Sequence, residues 1–157
     1  MKLYHGSNIE IKQPDLSRSK PFKDFGQGFY LSPVYEQALE RAKQITELLQ
    51  VGSPCVSTFE WKELQSSGLC MKVFNDYSAE WAEFVLLNRD RHQIHPVHGY
   101  DVVIGPIADD SVTYQLRRYS EGDISMERLI KELKYAKGLT IQYFFGTENA
   151  LSYLEKL

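Results

Sequence analysis

Cysteine is nearly absent: Cys55 and Cys70 are the only two in 157 residues. They make no disulfide framework and lack the close spacing of a zinc site, so a reduced, cytoplasmic compartment is expected. No apolar run approaches the roughly 18 residues of a membrane span, and "MKLYHGSN" is too short and too polar for a secretory leader, so no membrane partner is expected. An excess of positive charge is also missing. Lys and Arg total 18 against 21 Asp and Glu, a net charge of −3. That removes any overall attraction to nucleic acid while leaving room for a local basic groove. No repeat, low-complexity tract or linker divides the chain, which is read as one domain over residues 1–157.

Two nucleotide-binding signatures are missing as well. In "DFGQGFYLSP" (Asp24 to Pro33), Gly26 and Gly28 stand before an expected strand, and Leu31 holds the third position of a G-x-G-x-x-G fingerprint. The G-K-[ST] of a P-loop does not occur. Two readings remain for this stretch. It is a turn whose glycines supply positive φ before an edge strand, or one wall of a pocket for a flat ring.

What is present is a mixed series of short elements. "KLYHGS", "GFYLS", "CVSTFEW", "CMKVF", "YDVVIGPIA" and "LTIQYFFGT" read as strands. Ser32-Pro33 is expected to cap and start a helix over Tyr35 to Leu49, with Ala38, Ala42, Ile45 and Leu49 on one stripe. "SAEWAEFVLLNRD" is expected to be a helix capped by Ser78, with Trp81 and Phe84 in the core. "SVTYQLRRYSEG" and "SMERLIKELKYAKG" read as helices ending at Gly122 and Gly138. "ENALSYLEKL" starts a last strand or helix. Without regular βαβ alternation the class is α+β.

Three segments carry chemistry. "YHGS" puts the ring of His5 beside the bare backbone of Gly6, where a ligand could approach closely. "GFYLSPVYEQALERA" sets Tyr30 on a strand that runs into a helix. In "IQYFFGTENALSYL", Gln142 opens an aromatic strand. Taken singly, each has a plain structural reading: a satisfied histidine, a core aromatic, an edge glutamine. In this order they resemble the ADP-ribosyltransferase domain of the poly(ADP-ribose) polymerase (His-Tyr-Glu) type over essentially the whole chain. "HGS" matches its His-Gly-Ser/Thr motif, "FGQGFYLSPVYEQA" is similar to "FGKGIYFAD..SKSA", and "QYFFG" lies in the frame of "EYIVY", with Gln142 where the catalytic glutamate stands. The blocks "WAEFVLLNRD", "YDVVIGPIADD" and "ISMERLIKELK" also resemble a bacterial domain-of-unknown-function family with toxin-like members.

The resemblance implies two small β-sheets split around an NAD cleft with flanking helices. It implies that His5 bonds the adenosine ribose, that the Gly6 backbone pairs with the nicotinamide carboxamide, and that Ser7 holds the cofactor ribose. Gly26 and Gly28 would let the chain pass under the cofactor, Tyr30 would stack on the nicotinamide, and Tyr35 is a candidate for its opposite face. His5, Tyr30 and Gln142 would form the catalytic set, with NAD as substrate and no metal. Glutamine is neutral and cannot act as a general base at pH 7, so single ADP-ribose transfer to a protein or nucleic-acid acceptor is expected rather than polymer synthesis. Any base would come from elsewhere, with Glu148, Asp109 and Asp110 as candidates. Toxin–antitoxin pairing with a small antitoxin protein follows by analogy alone. NAD hydrolysis and a non-catalytic NAD-binding or protein-interaction module are the alternatives. Arg18, Lys20 and Lys23 could meet a pyrophosphate or a nucleic-acid backbone. His92, His95 and His98 in "HQIHPVHG" read as a polar loop, because no carboxylate pair converges on them.

Overall fold

The alternation of "CVSTFEW" folds as the middle strand of a sheet, its Ser57, Phe59 and Trp61 buried and the residues between them less so. The computed structural model describes residues 1–135 and 139–157. These form β1 (Lys2–Ser7), β2 (Phe29–Leu31), α1 (Tyr35–Leu49), β3 (Cys55–Trp61), β4 (Met71–Val73), α2 (Ala79–Arg89), β5 (Val102–Pro106), α3 (Asp110–Ser120), α4 (Met126–Lys134), β6 (Ile141–Phe145), α5 (Glu148–Leu151) and β7 (Leu154–Lys156). The class is α+β, with one sheet ordered β1-β3-β7 and another β2-β6-β5-β4. Among the described residues only the β4–β5 pair is parallel.

Two cores follow from the pleat of the second sheet, because successive side chains of a strand point to opposite faces. Phe29, Leu31, Val102 and Phe145 lie on one face and join Leu3, Phe59 and Trp61. Phe144 and Val103 lie on the other, where Phe25, Trp81, Val85, Leu116 and Leu129 cover them. Removing a residue as large as Trp81 or Phe144 from such a core costs about 3–5 kcal/mol.

Several local expectations shift. Val34, not Ser32, is the N-cap of α1, and Ser32 Oγ instead accepts from Val34 N at 3.0 Å and donates to Gln37 Oε1 at 2.8 Å. The α1 stripe is buried only at Ala38 and Ala42, with Leu49 exposed. Gly105 and Pro106 are the last two residues of β5 and pair with Gln142 and Ile141. The last segment forms a one-turn helix and a strand in succession. Ser78 caps α2, accepting from Trp81 N, and Gly122 takes a positive φ of 80° after α3. Gly138, expected to end α4, lies outside the described residues.

Candidate functional site

β1 is paired with β3 along its length on one edge. On the other edge it meets the end of β2 once, where Tyr4 and Ser32 exchange two backbone bonds of 2.8 Å. Backbone groups of an antiparallel strand alternate sides, so Gly6 turns its N–H and C=O to the same edge as Tyr4. Beyond the bridge the strands part, and no described residue takes up either group. His5 spans the split. Its Nδ1 lies 2.7 Å from the Tyr30 carbonyl oxygen, and a carbonyl only accepts, so Nδ1 carries the proton and Nε2 keeps a free lone pair. The ring stacks on Phe29 at 4.4 Å. Burial lowers the His5 pKa below 6.5; the bond to Tyr30 opposes this, and the charges of Lys23 and Arg41 add to it. His5 is therefore neutral at pH 7.

Tyr30 and Gln142 share a face of the second sheet, because Tyr30 pairs with Phe144 and Gln142 lies two residues before it on β6. The segment Asp24–Gly26 crosses that face. The Tyr30 hydroxyl donates to Gly26 O at 2.7 Å and accepts from Phe25 N at 3.0 Å, and burial raises its pKa well above 10. Phe25 and Phe144 pack against its ring, and Lys23 Nζ sits 5.3 Å from the ring centroid. Gln142 Nε2 donates to Asp24 Oδ2 at 2.9 Å and to Pro106 O at 3.4 Å. Both partners only accept, which fixes the amide orientation and leaves Gln142 Oε1 as an uncommitted acceptor.

Sequence reasoning passed over Asp24, the hub of this arrangement. Its Oδ1 accepts from Arg89 Nε at 2.9 Å and from Arg89 Nη2, and its Oδ2 accepts from Ala108 N at 3.2 Å besides Gln142. Arg89 also reaches Thr113. The carboxylate beside Gln142 is thus fully committed and makes a poor general base. The bases considered from sequence lie elsewhere: Asp109 caps α3 by accepting from Val112 N, Asp110 follows it in the first turn, and Glu148 lines a cavity of about 330 Å³ with Lys12 and Lys156.

The glycines have packing reasons. A Cβ on Gly6 would lie 1.9 Å from the Ala38 carbonyl oxygen, so α1 rather than a ligand occupies that space. One on Gly28 would strike the Phe144 ring at 2.2 Å. Gly26 has φ of 96° and needs glycine for its backbone. Tyr35 packs edge-on against Tyr4 at 5.5 Å, while the rings around Tyr30 are Phe25 and Phe144. Ser7 ends β1 with its hydroxyl toward Asn8 Oδ1 at 3.3 Å. A larger cavity of about 500 Å³ opens beside Gly26 and includes His95 and His98, but not His5, Tyr30 or Gln142. Among the described residues no three His, Cys, Asp or Glu side chains group as metal ligands, and no helix is long and apolar enough to cross a membrane.

The family model described as "Protein of unknown function (DUF3990)" matches residues 1–156. The chain therefore belongs to that family. No curated protein and no solved structure matches it.

Proposed function

We propose that the chain binds NAD at the split between β1 and β2 and transfers single ADP-ribose units to a macromolecular acceptor. The observation that carries this reading is the uncommitted N–H and C=O of Gly6 at the split, beside a neutral His5 with a free Nε2. Nicotinamide presents a primary amide, one acceptor and one donor edge, which complements such a backbone pair. Nε2 accepts from a ribose hydroxyl. The Tyr30 ring already attracts an ammonium, and the same π-surface suits the pyridinium of NAD, with Lys23 displaced. Gln142 Oε1 offers the ribose an acceptor where the resembled enzymes carry a glutamate.

In the reaction the nicotinamide–ribose bond breaks, its electron pair passes to the ring nitrogen, and positive charge develops at the ribose C1′. The acceptor nucleophile bonds C1′ and releases its proton to solvent. Orientation of the cofactor does most of the work in a site without a free carboxylate. The committed state of Asp24 gives specific support to a second reading, binding of NAD without turnover.

His5→Asn tests the assignment, because its amide keeps a donor for the Tyr30 carbonyl and removes Nε2. With labelled NAD and cell extract, the wild type is expected to label a macromolecule, and His5→Asn at least tenfold less with an unchanged melting temperature. Free ADP-ribose with no labelled macromolecule would turn the reading to hydrolysis. Intact NAD with a thermal shift would turn it to binding alone, and neither effect would sink it entirely.

A further inference from the structure

The 500 Å³ cavity belongs to no role assigned so far. Phe25, Gly26 and Phe144, which surround Tyr30, are part of its lining, together with Phe22, His98 and Tyr100. His98 is locked as a neutral wall: its Nδ1 accepts from Tyr100 N at 3.1 Å, so its Nε2 donates to Phe25 O at 2.6 Å. One lining group keeps an acceptor without a protein partner. Asn88 is 6% exposed, and its Nδ2 donates to Phe84 O at 2.8 Å. Its Oδ1 receives no bond from any described residue, is not sealed from solvent, and lies beside Gly26 in the same lining.

In the lining, Phe22 holds φ of 63°, a left-handed conformation rare for a bulky residue and maintained only where the surroundings impose it. The Arg91 guanidinium lies 5.7 Å from its ring centroid. No carboxylate lines the cavity itself, and the cations gather at Phe22: Lys20 and Lys23 flank Pro21 and Phe22 in the chain, and Arg91 stands over the Phe22 ring.

We propose that this cavity seats a nucleobase of single-stranded nucleic acid, stacked on the Phe22 platform with a base N–H donating to Asn88 Oδ1. Aromatic walls suit any base, and each of the four bases carries an N–H donor. The flanking cations suit phosphates, which favours a nucleic acid over an aromatic side chain of a protein. That the seated strand is the ADP-ribose acceptor rests on the transferase reading. Base binding itself does not, and it is measured with no NAD present.

The test titrates the protein with fluorescein-labelled single-stranded decamers of RNA and of DNA, read by anisotropy, with free nucleosides as competitors. Phe22→Gly removes the platform and suits a φ of 63°, so it is expected to keep or raise the melting temperature while weakening decamer binding roughly tenfold or more. Asn88→Leu should weaken it as well, with its own melting curve as a folding control. Absence of decamer binding, or equal binding by wild type and Phe22→Gly, overturns the proposal. So does saturation by free nucleosides that decamers cannot displace. If decamers bind and NAD is never cleaved, the pocket stands and only the acceptor role falls.

Discussion

The two polar regions around Tyr30 are built on opposite terms. On the Gln142 side, Asp24 accepts from Arg89, Gln142 and Ala108, and little hydrogen-bonding capacity is left over. At the split, Gly6 offers a donor and an acceptor that the described residues leave alone, and His5 holds a free Nε2. A region whose groups satisfy one another holds the fold together, and losing one member strands the rest. A region with spare groups contributes little to folding and has capacity for a ligand.

The largest effect expected from this contrast is at Asp24. Asp24→Ala strands the Arg89 charge, the Gln142 amide and the Ala108 N–H together. Breaking a buried ion pair costs about 3–5 kcal/mol. Arg89 is 27% exposed, so water can reach the stranded charge and a loss of about 2–4 kcal/mol is expected. Lys23→Ala, at the split, should change stability by less than about 1 kcal/mol. Urea unfolding of both variants measures the difference, and equal losses would break the comparison.

Gln142→Glu sharpens it. A glutamate there would set two carboxylates at hydrogen-bond distance in place of an amide donor and its acceptor, so one must hold a proton or the pair must part. The loss at pH 7 is expected to be about 1–3 kcal/mol. The introduced carboxyl has a folded pKa raised above its unfolded value. Its stabilising contribution is therefore present below the unfolded value and lost as pH rises through the folded one. The gap between variant and wild type should narrow from pH 7 to pH 5 in urea unfolding. A constant gap would mean that Asp24 does not sense residue 142. Glutamine at this position thus has a local reason in its neighbour, whatever it does to catalysis.

That reason could not be read from the chain. Asp24 meets Arg89 across 65 residues and Gln142 across 118, and no period or short motif links such positions. "DFGQGFYLSP" contained the hub, yet its glycines and its tyrosine drew the reading. Strands and helices were legible because pleat and helix periods repeat within a few residues. "YHGS", Tyr30 and Gln142 were legible as candidates because each lies in a short run with its neighbours. The reasons for the glycines were not, since Gly6 yields to Ala38 of α1 and Gly28 to Phe144 of β6, contacts made only in the fold. His98 read as part of a polar loop for the same reason, its ring being enclosed by Phe84, Tyr100 and Phe144.

The smallest expected effect separates the two histidines. Burial lowers the pKa of both His5 and His98 below 6.5. Well above 6.5 folded and unfolded chains are alike neutral at these sites and contribute no slope. Below it the unfolded chain takes up protons that the folded chain resists, so stability falls as pH drops through the depressed folded values. His5→Asn and His98→Phe should each flatten this acid limb, read from urea midpoints between pH 7 and pH 5. NAD binding should tell them apart. Protonating His5 removes the Nε2 acceptor, so wild-type affinity should weaken on the acid side, and His98→Phe should keep that profile while His5→Asn loses it. His98 has both ring nitrogens committed within the protein, whereas His5 has one to spare. If the two variants changed the binding profile alike, that spare nitrogen would have no role, and the distinction between a closed network and an open split would fail where it matters for the ligand.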